Sequence, residues 1–188
     1  PQVGARKILG FGVSPTSIGI SNNFRYKNFN MSVLVEGKYG GQMYSGTNAM
    51  SKYFGAHKAT IDADGRENGF TVSGVDASGA AFTTTIAPDR IEDYWRRTYE
   101  IAEEAIYDAD YLRLRQMSIG YNVPRAMLEN TFIKNASISL IGRNLFFLSN
   151  SVENVDPESG YNVSNSQGLE WFGMPIPRTI GMNVNLKF

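Results

Sequence analysis

The chain has 188 residues, in which Lys plus Arg and Asp plus Glu number 18 each, so its formal net charge is zero. That balance removes the basic surplus a nucleic-acid binder needs, and the absence of cysteine removes disulfides and thiolate metal sites. No run approaches the roughly eighteen apolar residues of a transmembrane helix, which says nothing against a membrane barrel, whose strands alternate. The opening Pro1-Gln2-Val3-Gly4 has neither Met nor a following apolar region. It is therefore no secretory signal, and the chain is expected to be processed, truncated or cut from something longer.

In chain order, residues 17–26 (SIGISNNFRY) place Ile18, Ile20, Phe24 and Tyr26 on one face. After a two-residue linker, Lys27-Asn28, residues 28–37 alternate again, with Phe29, Met31, Val33 and Val35 together and Leu34 as the exception. This pair predicts a hairpin. Residues 39–106 form a long connection. Within it, residues 61–81 are rich in Gly and Asp and predict turns or a short hairpin, and residues 88–105 have helix-forming composition. There Pro88 suits the first turn, with Asp89 and Glu92 near the positive end of the dipole.

A third strand is predicted over 107–122, where Leu112 and Leu114 give way to Met117, Ile119 and Tyr121 in the opposite phase. Such a switch can mark a bulge. A fourth, over 136–148, shows a similar switch from Ile138 and Leu140 to Leu145 and Phe147. After the polar loop 149–177 comes the clearest strand, 178–188. Ile180, Met182, Val184, Leu186 and Phe188 alternate there with Thr179, Gly181, Asn183, Asn185 and Lys187.

The connections alternate between short (27–28, 123–134) and long (39–106, 149–177), the pattern of outer-membrane barrels. A compact soluble sandwich rarely carries so long an excursion.

Several motifs resemble the SusC/RagA family of TonB-linked outer-membrane proteins. Residues 107–124 (YDADYLRLRQMSIGYNVP) are similar to its aromatic-Asp-Ala-Ser/Asp-Tyr-Leu-Arg/Lys-Leu-Arg run and the Gly-Tyr-x-x-Pro strand end that follows. Gly142 to Leu148 (GRNLFFL), Asp156-Pro157-Glu158, Pro177-Arg178-Thr179, the closing NVNLKF, Tyr26-Lys27-Asn28-Phe29 and Gly40-Gly41 match further motifs in the family's order. The resemblance covers nearly the whole of residues 1–188.

It implies an all-β fold: an antiparallel transmembrane β-barrel segment, the last five or so strands of a barrel of about 22 plugged by an N-terminal domain absent here. Loops 39–106 and 149–177 would be extracellular, the first containing a short helix. The family imports glycans or peptides with a SusD-like surface lipoprotein, powered through TonB from N-terminal parts absent here, in the outer membrane of Bacteroidetes-type bacteria. No enzyme activity, cofactor or metal is implied.

On this reading Ile180, Met182, Val184 and Leu186 face lipid, Asn183 and Asn185 face the interior, and Tyr121, Phe146, Phe147 and Phe188 are candidates for aromatic girdles. Phe188 resembles the terminal aromatic recognised by the barrel-assembly machinery. Tyr94, Trp95, Tyr99, Tyr161 and Trp171 in the loops could stack on sugar rings, with loop packing or contact with the partner as the plainer expectation.

Other signals are weak. Asp62-Ala63-Asp64-Gly65 lacks the carboxylates of an EF-hand register and predicts a turn. His57, the sole histidine, is expected on a loop surface. Glu103 and Glu104 with Arg96 and Arg97 predict a solvated face. The competing fold is a soluble all-β carbohydrate-binding module, which would bury the Met182/Val184/Leu186 face under a second sheet.

Overall fold

The protein's structure, a computed structural model, describes residues 1–61, 65–160 and 164–188. Its strands are β1 (Thr16–Tyr26), β2 (Phe29–Tyr39), β3 (Gln42–Ser45), β4 (Phe70–Val75), β5 (Ala81–Ile86), β6 (Ile106–Asp108), β7 (Tyr111–Asn122), β8 (Asn135–Asn150), β9 (Leu169–Glu170) and β10 (Thr179–Lys187). The helices are α1 (Gly46–Tyr53), the single turn α2 (Gly65–Asn68) and α3 (Ile91–Thr98). By its internal contacts the chain divides into two units.

One unit comprises Phe11–Gln42, Asp108–Ser159 and Met174–Phe188. It is built on a five-stranded antiparallel sheet in the order β1-β2-β7-β8-β10. The hairpin turn falls at Lys27 and Asn28, with Lys27 at φ 52° and Tyr26 opposite Phe29. The register makes the two faces chemically distinct. Met182, Leu140, Ile119, Met31 and Phe24 lie side by side across all five strands, and Val184, Ile138, Tyr121, Phe29 and Tyr26 form the next row. On the opposite face the corresponding row is Asn183, Ser139, Gly120, Asn30 and Arg25. There the Ser32 and Ser118 hydroxyls hydrogen-bond at 2.7 Å.

The phase switch in β7 is a bulge. The β2–β7 register shifts between Leu34 and Val35, passing over Arg115. Leu112 and Leu114 therefore share the apolar face with Met117, Ile119 and Tyr121, while Tyr111, Arg113 and Arg115 share the polar one. The switch expected at Leu145 in β8 falls elsewhere. Phe146 opposite Leu114 keeps the phase of Ile138 and Leu140, and the register against β7 shifts again only at Leu148. Phe147 is consequently no girdle residue. It lies opposite Arg113 on the polar face, with the guanidinium 3.9 Å from its ring centroid.

The apolar rows are uncovered. Met182 is 68% exposed, Leu140 56%, Ile119 47% and Phe24 55%. β1 and β10 are the sheet edges and are exposed throughout. The described strands form an open sheet, not a closed barrel. Among the described residues of this unit only Tyr111, Leu114, Ala136 and Val152 are buried apolar residues. A sheet needs an apolar partner layer to be stable in water, and this unit supplies none for its apolar face.

The other unit comprises Pro1–Gly10, Met43–Tyr107 and Gly160–Gly173. The sequence predicts one helix in residues 39–106, and the structure adds a second, α1. Ser45 caps it, accepting from the Asn48 amide at 3.1 Å, and Gly55 at φ 69° ends it. The hairpin is β4–β5, over Phe70–Ile86, later than the 61–81 expected. Its outer face carries paired hydroxyls, Thr71 with Thr85 at 3.2 Å and Ser73 with Thr83 at 3.1 Å.

The predicted helix 88–105 is broken in three: a 3₁₀ turn at Pro88–Arg90, α3, and a second 3₁₀ turn at Ala102–Ala105. Glu92 and Asp93 in the first turn of α3 and Arg96 and Arg97 in the last complement its dipole. The ion pairs differ from those expected. Arg96 bonds Glu92 at 2.5 Å, and Glu103 bonds Lys7 at 2.8 Å. His57 is also corrected: it is 3% exposed, because its Nδ1 accepts from the Ala59 amide at 3.1 Å and caps the 3₁₀ turn Lys58–Thr60.

Candidate functional site

Tyr111, Arg113 and Arg115 project from one face of β7 onto the loop that carries Asp156-Pro157-Glu158. Two motifs 43 residues apart in sequence thus meet in space. Arg113 donates to Asp156 Oδ2 at 2.5 Å and forms an ion pair with Glu158 Oε2 at 2.8 Å, with Arg113 and Asp156 side chains only 3% and 5% exposed. Arg115 bonds Glu158 Oε1 and Glu36 Oε2, both at 2.7 Å, and donates to Asn144 Oδ1 at 2.9 Å. The Tyr111 hydroxyl donates to Glu158 Oε1 at 2.8 Å.

Asp156 also accepts from the amides of Glu158 (3.0 Å) and Ile176 (3.2 Å), so one carboxylate ties both ends of the loop. The Arg115 bulge is what turns both guanidiniums to this side. Asn144, at φ 51°, reaches the Pro177 carbonyl at 3.2 Å. Neither arginine was singled out from sequence as a site residue, although both lie in the Tyr-Leu-Arg-Leu-Arg run that carried the resemblance.

A second polar centre lies in the other unit. β9 runs parallel to β3 and sets Glu170 beside Ser45. Glu170 is fully buried and accepts from the Ser45 hydroxyl (2.8 Å), the Thr47 hydroxyl (2.5 Å), the Thr47 amide (3.3 Å) and the Gly173 amide (3.1 Å). Its negative charge sits at the positive end of α1. Glu170→Ala is expected to destabilise this unit by about 1–3 kcal/mol by stranding those donors, read as a lower melting temperature of the full-length protein. Trp171 lies where a side chain on Gly46 would project. Gly46→Val should therefore cost about 1–3 kcal/mol through overpacking, and the near-ultraviolet signal of Trp171 should change with it.

Of the loop aromatics, Tyr94 and Trp95 gather around Phe70, with ring centroids at 4.9 and 5.8 Å. Burial, and then the charge of Glu104, push the Tyr94 phenol up from its ordinary value. Tyr99 pairs edge-on with Tyr53 at 5.4 Å. Trp171 stands with Phe172 at 5.9 Å, and Tyr161 lies outside the described residues, as do Asp62, Ala63 and Asp64 of the weak calcium signal.

Of the four that are described, Trp95 alone borders the cavity of about 360 Å³ at the end of α1, together with Tyr53, Phe54, Arg66 and Arg96. Tyr53 and Phe54 were missed, since their helix was. Among the described residues no group of three or more acidic or histidine side chains could hold a metal.

The fold and these centres define an open antiparallel sheet, apolar on one face and polar on the other, and a second unit of helices and short strands. No protein-family model matches the chain. The TonB-dependent receptor P3 of Formosa agariphila is 30% identical over 189 residues, covering 97% of this chain. Receptor P26 of the same organism is 25% identical, covering 96%. This chain spans only 17% and 18% of those two proteins.

In fold it matches a segment of the RagAB peptide transporter, at a TM-score of 0.64 with 15% identity over 95% of this chain and 18% of that one. It also matches the RagAB peptide importer in its closed-closed state, at 0.65 with 16% identity over 97% of this chain and 18% of that one. The resemblance read from the motifs is borne out: this chain is a relative of the TonB-dependent receptors, corresponding to a segment of one.

Proposed function

We propose that this chain is part of the wall of an outer-membrane TonB-dependent nutrient importer in a Bacteroidetes-type bacterium. The observation that carries the reading is the pair of five-strand apolar rows, exposed on one face of a single sheet whose other face is polar. Lipid would cover the first face and the plugged interior the second. The open edges of β1 and β10 need further strands, because lipid cannot satisfy free backbone groups. The rest of the full-length protein would supply them. A soluble carbohydrate-binding module is the weaker reading, since no second layer among the described residues covers Met182, Val184 or Leu186.

In this reading loops 39–106 and 149–177 face the exterior, where a SusD-like lipoprotein and the substrate, a glycan or a peptide, would meet them. Tyr94, Trp95, Tyr99, Tyr161 and Trp171 are proposed contacts there, and TonB would act through other parts of the protein. Phe188 is proposed as the assembly signal. Deleting it from the full-length protein should reduce outer-membrane insertion, and unchanged insertion would remove the assignment. The wall reading is tested by producing residues 1–188 alone. Aggregation, or solubility only in detergent, is expected; a monodisperse monomer in plain buffer would overturn it.

A further inference from the structure

We propose that the rim of the five-stranded sheet at its short connections binds anionic phospholipid headgroups. The inference rests on the wall reading above, which puts the apolar face against lipid, and adds which lipid is preferred and where. The rim consists of the β1–β2 turn, the connection 123–134 between β7 and β8, and the end of β10. Its parts are tied side by side. The Asn122 amide donates to the Asn28 carbonyl at 2.9 Å, the Val123 amide to the Ala136 carbonyl at 2.9 Å, and the Lys134 amide to the Lys187 carbonyl at 2.7 Å. Five strands span roughly 20 Å, so the rim side chains act on one small area.

Charge is the first observation. Lys27, Arg125, Lys134 and Lys187 stand on this rim against the single carboxylate of Glu129. Lys134 Nζ donates to the Phe188 carbonyl at 3.2 Å, and Lys27 lies over the Tyr26 ring at 5.4 Å. Both partners are neutral, so the surplus stands. At the other end of the sheet the cations are matched: Arg113 and Arg115 are held by Asp156, Glu158 and Glu36. Residues 62–64 and 161–163 fall in the long connections, which join the strands at that other end.

Apolar exposure is the second. Phe132 is 80% exposed and Met127 69%, both in the connection 123–134. Phe132 stacks on Phe188 with ring centroids 5.6 Å apart, and Phe188 continues the alternation of Val184 and Leu186. The rings thus border the apolar face where it meets the cations. Together they fit the boundary between acyl chains and headgroups. Aromatic rings sit at headgroup level there, and long basic side chains bury their stems while the charge reaches a phosphate. An acidic protein surface would match the charge, but not an apolar knob continuous with the lipid-facing rows.

The test uses the full-length protein inserted in equimolar phosphatidylglycerol and phosphatidylcholine bilayers. Phe132→Trp places a fluorophore on the rim, and its emission is read as variant minus parent. Brominating the chains of one lipid or the other reports which lies nearer. Each cation near an anionic surface strengthens attraction about fivefold, so brominated phosphatidylglycerol is expected to quench at least about twofold more than brominated phosphatidylcholine. Adding Arg125→Gln with Lys134→Gln should bring the two to parity, while Lys38→Gln, at the other end of β2, should change nothing. Raised salt should also bring parity, a readout that needs no further variant to fold. Inorganic phosphate, compared with chloride at equal ionic strength, should not displace the lipid. Equal quenching, a ratio indifferent to salt or to the paired variant, or its loss to inorganic phosphate would each overturn the proposal. Absence of quenching by either lipid would do so too, since protein would then cover the rim. Insertion is followed in parallel by heat-modifiable gel mobility. Any of these results with intact insertion sinks this inference alone, whereas a parent protein that does not insert sinks the wall reading.

Discussion

Arg113→Ala in the full-length protein is expected to lower its unfolding free energy by about 3–5 kcal/mol, the usual cost of removing one partner from a buried ion pair. The guanidinium contacts Asp156 at 2.5 Å and Glu158 at 2.8 Å and lies 3.9 Å from the Phe147 ring centroid. Its loss leaves Asp156 buried with only two backbone amides against its charge. Arg113→Lys should rescue little, since one ammonium cannot span two carboxylates as a planar fork does. Adding Asp156→Asn to Arg113→Ala should recover part of the loss, because the stranded charge is gone. The exposed pair Arg96–Glu92 is the control, and breaking it should cost at most about 1 kcal/mol. Denaturant unfolding in detergent measures all four variants, and a loss below about 1 kcal/mol for Arg113→Ala would show that the network is solvated.

Met182→Arg should cost about 2–4 kcal/mol of folding free energy in a bilayer, whereas Asn183→Arg, one residue along, should cost under about 1 kcal/mol. Met182 lies at one end of a five-residue apolar row that would meet hydrocarbon, and Asn183 ends the polar row behind it. Folding of the full-length protein into liposomes, followed by heat-modifiable gel mobility, reads the difference. Equal effects at the two positions would mean that the faces do not separate lipid from water. A soluble sandwich would also penalise Met182→Arg, but it would then fold without lipid.

Much of the five-stranded sheet was legible because strand alternation is a local signal. The β10 pattern, the Lys27-Asn28 turn and the bulge in β7 all follow from the spacing of apolar residues. The displaced switch in β8 was not, because alternation cannot say which of two adjacent phenylalanines continues a face. That depended on the left-handed Asn144 and on pairing with β7. α1 was missed because its apolar content is slight and a glycine stands at its start. Gly46 is there for the ring of Trp171, 125 positions further along in sequence. His57 was assigned to the surface by residue type, yet a local hydrogen bond to its own turn buries it. The Arg113–Asp156 network was present as two separate motifs, and only tertiary structure joins them.

The single extra residue at Arg115 has a consequence for how such chains can diverge. Shortening β7 there by one position would turn Tyr111 and Arg113 onto the apolar face while the rest of the strand kept its orientation. Substitutions at the kink alter one contact, whereas a deletion exchanges the two faces along half a strand. Length variation among descendants of this sequence should therefore accumulate in the long connections and spare this position.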